Sequence, residues 1–205
     1  MSKVDFKKVY KELYAPPKEF VVVDVPEMQF LMVDGYGDPN VAQEYQDALE
    51  ALYAMAYKIK FNSKKQLDRD YVVPPLEGLW WAEEMATFST ARDKSQWDWT
   101  MMIMTPDWVG PAMVEGALSD VSKKKQLPSL GKLRWEVYQE GLSVQILHLG
   151  SYDDEGPVLK QLHEVWMPEN VYQFNGLHHE IYLSDPRRVE PDKLKTVLRQ
   201  PIRKD

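Results

Sequence analysis

The residues best suited to chemistry lie in one short segment, His178-His179-Glu180-Ile181-Tyr182, which has the composition of a β-strand. Successive side chains of a strand point to opposite faces of its sheet, so His178, Glu180 and Tyr182 share one face. If that face lines a pocket, the Glu180 carboxylate can pair with a cation or orient a water molecule. If the face is exposed, Glu180 is an ordinary solvated strand residue. The other face, with His179 and Ile181, is largely apolar, and we expect it to pack against the helices.

Aromatic side chains form a second group of candidates. The chain has 7 Trp and 11 Tyr in 205 residues, and both types carry a polar atom that needs a partner when buried. Such an excess favours a pocket for flat, apolar ligands. Trp80 and Trp81 are adjacent and must point to opposite faces, and parity alone leaves open which of them meets a cleft; Trp97 and Trp99 share a face. These rings are candidates for holding a planar or cationic guest, and aromatic packing that only stabilises the sheet is the alternative.

Several other chemistries lack the residues they need. The chain has no cysteine, which excludes disulfides, thiolate metal sites and a cysteine nucleophile. The spacing of His178 and Glu180 resembles that of zinc deaminases, but those enzymes also need a paired-cysteine segment. The 4 histidines lack the spacing of a catalytic zinc site, and no GxSxG, Walker or GxGxxG motif occurs. We therefore predict no metal and no cofactor, so that catalysis must rest on carboxylate, imidazole, phenol and aromatic walls.

Composition limits the class of protein and its partners. The hydrophobic fraction of 44% and the charged fraction of 28% are those of an ordinary globular chain. The net charge is −7 and the basic residues form no run or stripe, so we expect no nucleic-acid partner. The N-terminal segment has no apolar core of a signal peptide, and no stretch is long and apolar enough for a membrane span. We therefore expect a cytoplasmic protein with a small-molecule aromatic ligand and no membrane partner; the oligomeric state stays open.

Hydrophobic periodicity predicts an α+β chain. Strands are predicted at 19–25, 29–36, 76–82, 97–104, 133–138, 143–149, 177–183 and 194–201. Helices are predicted at 5–14, 41–59, 110–124 and 157–166. The charged residues 62–70 read as an exposed link, and Glu140-Gly141 reads as a turn between two strands.

The order strand, helix, strand, strand occurs twice in this prediction. The first copy covers about 19–105, the second about 132–201, and the helix at about 110–124 connects them. A weak sequence echo supports a duplication, since residues 32–38 and 146–153 both run from a strand through glycine to an acidic residue. No Pro/Ser-rich linker separates the halves, so we predict one domain, 1–205, made of two pseudo-symmetric repeats. The helices should lie on one side of antiparallel sheets, with a ligand cleft between the repeats.

Three segments of the chain resemble the GyrI-like small-molecule-binding family, specifically its stand-alone subfamily. They are VDVP followed by MVDGYGDP within residues 23–39, LEGLWW at 76–81, and HHEIYLSDPRR at 178–188. The resemblance covers nearly the whole chain. It implies two strand-helix-strand-strand units around a shared cleft, with Glu180 in the place of the family's central pocket residue. Nothing in the chain resembles the DNA-binding helix-turn-helix of related transcription regulators, which disfavours that role.

The resemblance also implies a specific activity. Some stand-alone members are hydrolases that open the cyclopropane of spiro-cyclopropyl, DNA-alkylating natural products held in an aromatic cage. By that resemblance Trp80, Trp81, Trp97, Trp99 and Tyr182 are expected to bind the ligand, and Glu180 to position or deprotonate water. His178 and Tyr138 are the further catalytic candidates, as donors to the ligand oxygen. The alternative is a non-catalytic protein that binds and sequesters drugs or toxins.

Overall fold

A computed structural model describes residues 3–83 and 93–204 as a mixed α+β fold. The helices are α1 (Phe6–Val9), α2 (Lys11–Tyr14), α3 (Gln43–Leu67), α4 (Pro111–Lys124), α5 (Gly156–Gln161) and α6 (Met167–Glu169), with a π-helical turn (Leu162–Trp166) joining the last two. The strands are β1 (Val21–Val25), β2 (Met28–Tyr36), β3 (Leu76–Trp81), β4 (Asp98–Thr105), β5 (Arg134–Tyr138), β6 (Gly141–Leu149), β7 (Tyr172–Phe174), β8 (His178–Tyr182) and β9 (Lys195–Lys204). No helix of the described ranges is long and apolar enough to cross a lipid bilayer.

One antiparallel sheet joins the two predicted repeats. Its strand order is β1-β6-β9-β8-β3-β4-β2-β5, and β7 pairs with the C-terminal end of β9. The units β2-α3-β3-β4 and β6-α5-β8-β9 have the same element order, and β3 and β8 pair at the centre where the units meet. The predicted fold class is therefore confirmed, with a continuous sheet in place of separate sheets. The first repeat's range also contains residues 84–92, which lie outside the described residues.

β1 and β5, which precede the units β2-α3-β3-β4 and β6-α5-β8-β9, each cross to the other half of the sheet. β1 pairs with β6 of the second repeat, and β5 pairs with β2 of the first. The turn signal at Glu140-Gly141 therefore does not make a β5–β6 hairpin, because the pairing partner of β5 lies in the other repeat. Only two residues separate β1 from β2, so the chain between Val25 and Met28 spans at most about 11 Å. The two ends of the strand order must therefore approach each other, and the sheet curls.

The two faces of the curled sheet carry different layers. On one face α3 and α4 pack over β2, β3 and β4, with a core that includes Leu52, Met55, Trp99 and Met101. On the same face the helical segment around Leu162 packs over β6 and β9. The predicted helices 41–59 and 157–166 thus lie on one side of the sheet. The opposite face is covered by the N-terminal α1–α2 segment.

The prediction that the His179 and Ile181 face of β8 packs against the helices is wrong. His179 and Ile181 lie on the face away from α3, whereas Glu180 lies on the helix face, because its cross-strand partners Gly78 and Leu198 belong to that face. His179 is buried in an ionic cluster instead of an apolar contact, with Nε2 at 3.0 Å from Glu77 and Nδ1 at 2.9 Å from Glu140. Alternation placed these residues correctly relative to one another, but it does not say which face a helix covers.

The segment predicted as an exposed link continues α3 to Leu67. Its Lys and Gln side chains are good helix formers, and Asp68 ends the helix in the left-handed conformation, at φ 56°. Buried Ser63 fixes this last turn, since its hydroxyl donates to the Arg69 carbonyl at 2.8 Å and accepts from Trp108 Nε1 at 2.9 Å. The polar composition of this segment predicted a link instead of a helix. Ser63, however, is buried and uses its hydroxyl to hold the last helical turn in place.

Candidate functional site

A large open cleft lies between α3 and α5 on the helix face of the sheet. Its volume is about 1720 Å³, and the ends of β3 and β8 form its floor. Among the residues that line it, Trp80, Glu180 and Tyr182 come from the sheet and Tyr45 from α3. Both repeats therefore contribute to the same space, as the predicted cleft between repeats requires.

A chain of hydrogen bonds ends on the Glu180 carboxylate. Trp80 Nε1 donates to the Tyr182 hydroxyl at 2.9 Å, and that hydroxyl donates to Glu180 Oε2 at 2.8 Å. The other carboxylate oxygen, Oε1, lies 3.3 Å from Nε2 of buried His178. Both oxygens of Glu180 thus have fixed partners, which hold the carboxylate in one orientation at the floor of the cleft.

Strand pairing explains why these groups meet. Gly78 lies directly opposite Glu180, and Trp80 lies directly opposite His178. A Cβ atom on Gly78 would come within 2.8 Å of Trp80 Nε1 and 3.1 Å of Met101 Sδ. The missing side chain at position 78 therefore leaves the space that the Trp80 indole occupies beside Glu180.

A second carboxyl group joins Glu180 in the site. Glu155 ends the 3₁₀ turn Tyr152–Glu155 before α5, is buried and lines the cleft. Its interaction with Glu180 lowers the pKa of Glu180, so the two carboxyl groups act on each other in one site. Sequence reasoning missed Glu155. Its sequence context, Asp153-Asp154-Glu155, is that of a solvated acidic turn.

The environment lowers the pKa of Glu180. Burial alone would raise this pKa, but the hydrogen bond and charge of His178, together with the hydrogen bond from Tyr182 and the interaction with Glu155, outweigh it and lower the pKa below its ordinary value. Glu180 is therefore ionised near neutral pH. Burial and the nearby Glu180 charge raise the pKa of Tyr45, so its phenol stays neutral.

Aromatic rings wall the same end of the cleft. Trp80 packs edge-to-face against Trp97 at 5.7 Å and lies 6.4 Å from Tyr45. Tyr152 packs edge-to-face against Tyr182 at 5.6 Å. Flat apolar surfaces and a buried, ionised carboxylate thus border one space, which suits a planar guest and a positioned water or cation.

The structure brings together most, but not all, of the residues predicted for the site. Glu180, Tyr182, Trp80 and Trp97 line the cleft. His178 touches Glu180 from a buried position behind it. Trp99 is fully buried and packs edge-to-face against Tyr45 at 5.3 Å, so it supports the wall from behind.

Two predicted residues lie elsewhere. Trp81 points away from the cleft and packs with the core of the opposite face, which decides between the adjacent tryptophans. Tyr138 also lies on that opposite face, where its ring meets Phe30 edge-to-face at 6.4 Å. The reason is the strand crossing, since β5 pairs with β2 and its Tyr138 is the partner of Met28. Tyr138 therefore does not reach Glu180 or a ligand in the cleft.

The described residues contain no group of three or more His, Asp and Glu side chains able to hold a metal ion. The carboxyl pair has a histidine and a tyrosine as further partners, and these donate hydrogen bonds to it. Side-chain hydrogen bonds therefore hold the Glu180 carboxylate in place.

Comparisons with known proteins agree with this geometry. A family model for the GyrI-like small molecule binding domain matches residues 18–203. An uncharacterized conserved protein from Listeria innocua is 41% identical, with a TM-score of 0.89 over 98% of this chain and 100% of that chain. A hydrolase from Listeria innocua is 40% identical, with a TM-score of 0.85 and the same coverage of both chains. The EcmrR C-terminal domain, at 12% identity and a TM-score of 0.59 over 91% of this chain and 98% of its own, shares the fold. No curated protein matches the sequence.

Proposed function

The chain belongs to the family of GyrI-like small molecule binding domains, and from that premise we propose that it binds flat aromatic molecules and hydrolyses the cyclopropane of spiro-cyclopropyl alkylating agents. The observation that carries the proposal is the floor of the cleft. There an ionised glutamate, Glu180, is held by Tyr182 and His178 beside a second buried carboxyl group, Glu155, and between aromatic walls. The similarity to a hydrolase at 40% identity supports catalysis over binding alone.

The chemistry needs few groups. In a dienone that carries a spiro-cyclopropane, water attacks a carbon of the cyclopropane and the strained C–C bond to the spiro carbon breaks. The electron pair of that bond moves into the dienone, which becomes aromatic and leaves a phenolate oxygen. In this proposal Glu180 accepts the proton that the attacking water loses, and Glu155, acting as a general acid, protonates the oxygen that gains charge. The net change is the addition of one water molecule, and no cofactor takes part.

The residues around the pair have distinct tasks in this proposal. Trp80 and Trp97 hold the planar ring system, which lowers the entropy cost of bringing water to the strained carbon. Tyr182 and His178 orient Glu180 and keep it ionised. His178 is therefore a positioning residue, and Tyr138 has no part in the reaction because it lies on the other face of the sheet.

Replacement of the carboxylate tests the proposal. Purified protein is incubated with a spiro-cyclopropyl dienone, and the product heavier by one water is measured by mass spectrometry. We expect Glu180→Gln to lower turnover by on the order of 10²-fold or more, the usual contribution of general base help, with little change in affinity for a neutral substrate. Glu164→Gln, an exposed glutamate at the outer cleft, is the matched control and should retain full turnover. Wild-type rates in Glu180→Gln would remove Glu180 from the chemical step.

Sequestration without turnover is the second candidate, and the buried negative charge among aromatic rings favours it for cationic guests. A binder of this kind quenches tryptophan fluorescence with planar cations but yields no hydrated product. In that case Glu180→Gln should weaken binding of a cationic ligand, such as a planar quaternary ammonium dye, and leave binding of a neutral analogue unchanged. Hydrated product with wild-type protein and none with Glu180→Gln would instead assign the site to catalysis.

A further inference from the structure

The chain carries two extra residues just before the paired part of β8. Phe174 at the end of β7 lies opposite Ile202 of β9, and His179 lies opposite Arg199, so this chain takes five steps where β9 takes three. An excess of this kind is a β-bulge, which bends a strand and sets the direction of the residues that follow it. The bulge therefore lies directly ahead of the β8 residues that border the cleft.

The bulge contains the dipeptide Asn175-Gly176, and both residues are exposed. Asparagine reacts with its own backbone most readily when glycine follows it, because glycine has no Cβ to hinder the approach. The Gly176 nitrogen attacks Cγ of Asn175, the bond from Cγ to Nδ2 breaks, and ammonia leaves with the proton of the attacking N–H. Water then opens the resulting succinimide at either carbonyl. One product is aspartate; the other is isoaspartate, whose backbone runs through the side chain and is longer by a methylene.

The fold leaves the reacting atoms free while it holds their neighbours. The Asn175 N–H donates to the Pro201 carbonyl at 3.0 Å, and Gln200 Nε2 donates to the Gly176 carbonyl at 3.0 Å. Among the described residues, neither the Asn175 side chain nor the Gly176 N–H makes a hydrogen bond. The amide and the nitrogen that attacks it can therefore meet without the loss of a hydrogen bond.

Packing requires the same glycine that makes the reaction easy. A Cβ atom at position 176 would lie 3.0 Å from both Cβ and Cγ of Pro201, closer than most such contacts in proteins. Pro201 in turn suits a bulge, because proline has no N–H that the irregular pairing would leave without an acceptor. The close approach of these two backbones thus keeps a reactive dipeptide in this loop.

Two similar sequences in the chain are protected. Asp34-Gly35 lies within β2, where both residues pair with β4, so the strand ladder holds the backbone. Asn170 is exposed, but its Nδ2 donates to the Trp166 carbonyl at 2.8 Å, and the β-branched Val171 follows it and hinders attack. Neither kind of protection applies to Asn175, which makes it the reactive position of this group.

We propose that Asn175-Gly176 is a site of spontaneous deamidation, and that the isoaspartate formed there loosens β8 and with it the Glu180 site. The added methylene lengthens a bulge that already holds two extra residues, and His178 follows that bulge directly. His178 Nε2 lies 3.3 Å from Glu180, which is long for a hydrogen bond, so a small shift of the strand separates the two groups. The loss of chemistry rests on the proposed function, whereas the modification and the loosening of β8 do not.

Peptide mapping of aged protein tests the modification. Full-length protein is kept in mildly alkaline buffer, which favours loss of the Gly176 proton, and is then digested with trypsin. The tryptic peptide 161–187 contains both Asn170 and Asn175, and electron-transfer fragmentation distinguishes aspartate from isoaspartate. We expect conversion at Asn175 within about tenfold of the rate in the guanidinium-unfolded chain, since exposed loops open at little cost in free energy, and no conversion at Asn170 in the native protein. Native protein that keeps Asn175 intact while the unfolded chain reacts would overturn the site.

Hydrogen exchange and turnover test the consequence for the strand. The amides of residues 178–182 should exchange faster in the isoaspartate form than in fresh protein, and the lost fraction of ring-opening activity should match the isoaspartate fraction. Asn175→Gln is the matched control, because glutamine forms its cyclic imide far more slowly, and it should age without either change. Freshly purified Asn175→Asp has the charge without the longer backbone and should exchange like wild type.

The outcomes separate the inference from the proposed function. Unchanged exchange of residues 178–182 in the isoaspartate form would overturn the effect on β8. Fast exchange in fresh Asn175→Asp would assign the effect to charge and overturn the role of the longer backbone. Fresh wild-type protein that opens no cyclopropane would contradict the proposed function alone, because the peptide map and the exchange rates decide the inference without turnover.

Discussion

Glu180 combines two properties that oppose each other in most proteins, burial and ionisation. A carboxylate loses its hydration when it is buried, which raises its pKa unless hydrogen bonds replace the lost water. Here His178 and Tyr182 supply those bonds, nearby Glu155 adds to their effect, and the pKa falls below its ordinary value. The side chain is therefore charged, oriented and shielded from bulk water, which is the condition that a water-positioning base needs.

The hydrogen bond from Tyr182 gives a testable pH dependence. Because it lowers the pKa of Glu180, its removal in Tyr182→Phe should raise that pKa. A base works only when ionised, so the rate of hydrolysis falls as pH falls through its pKa, and the acidic limb of the pH–rate profile should move to higher pH in Tyr182→Phe. The measurement is kcat/KM for ring opening from acid to neutral pH. Tyr138→Phe, which removes a hydroxyl on the opposite face, should leave the profile unchanged; an altered profile there would return Tyr138 to the site.

Sequence reasoning reached these residues unevenly. Glu180, Tyr182 and His178 could be predicted because alternation within one strand puts them on one face, which is a local property. Glu155 could not be predicted, since a distant turn brings it to Glu180 and its acidic neighbours resemble a solvated surface. Tyr138 was wrongly predicted to lie in the site for a related reason. No local pattern in the sequence indicates that β5 pairs with β2 of the other repeat.

At the scale of elements, β3 shows how one strand serves two layers. Its alternate residues Leu76, Gly78 and Trp80 belong to the helix face and the cleft, whereas Glu77, Leu79 and Trp81 belong to the opposite face. Apart from the short strand β7, which was not predicted, the strand boundaries followed from the sequence to within a few residues, because hydrophobic alternation has a strict period of two. Which face meets which layer depends on the packing of distant segments and could not be read from that period.

The adjacent tryptophans provide a matched pair for this division. We expect Trp80→Ala to weaken binding of planar ligands and to lower the rate, because it removes a wall of the cleft and the donor to Tyr182. Trp81→Ala should leave ligand affinity unchanged and lower only the stability, by about 2 kcal/mol, which is less than for a fully buried tryptophan because Trp81 is half-buried. Ligand titration by fluorescence and unfolding by urea separate the two effects. Equal losses of affinity in both variants would contradict the assignment of faces.

The helix beside the cleft shows a second limit of sequence patterns. Residues 157–166 were predicted as a plain helix, but Leu162–Trp166 forms a π turn in which the Met167 N–H bonds to the Leu162 carbonyl. Pro168 explains the irregularity, since a proline in a helix lacks an N–H donor and clashes with the carbonyl four residues earlier. Apolar periodicity predicts where such a helix lies, but it does not show that the hydrogen-bond pattern changes from α to π within it.

For the whole molecule, the strand crossing and the buried ionic cluster bind the two repeats into one body. Glu77 comes from the first repeat, His179 and Arg199 from the second, and Glu140 from the crossing before β6. Arg199 Nη1 lies 3.0 Å from Glu140, and its Nη2 donates to the Leu13 carbonyl at 2.8 Å, which ties down the N-terminal segment. The negative charges of Glu77 and Glu140 are balanced by the positive charges of His179 and Arg199 in this buried cluster. Element order predicted the two repeats, but it did not predict that they share this ionic centre.

The cluster predicts how the stability of the whole fold depends on pH. Its carboxylates raise the pKa of His179 to about 9, against the effect of burial, and the cations of His179 and Arg199 lower the pKa of Glu140 to about 2 in the same way. A raised histidine pKa stabilises the fold fully below the unfolded value of 6.5 and loses that contribution as pH rises through 9. A lowered glutamate pKa stabilises the fold above 4.5 and loses its contribution as pH falls through 2. Half-buried His163, whose pKa partial burial lowers to about 4, adds to the loss of stability on the acid side below pH 6.5.

Stability should therefore be highest near pH 6 and fall toward alkaline pH because His179 loses its proton. Between pH 6.5 and 9 the free energy of unfolding should drop by ~3 kcal/mol, since each unit of pKa shift corresponds to about 1.4 kcal/mol. Urea unfolding at several pH values measures this slope. His179→Gln should be less stable at pH 6, because two buried carboxylates lose their cation, and its alkaline slope should be largely absent. His148→Gln is the matched control, a buried histidine bonded to the Ser151 carbonyl and outside the cluster, and it should keep the wild-type slope. An alkaline slope that survives in His179→Gln would mean that another group titrates, and that the ionic centre between the repeats does not govern the pH response of the fold.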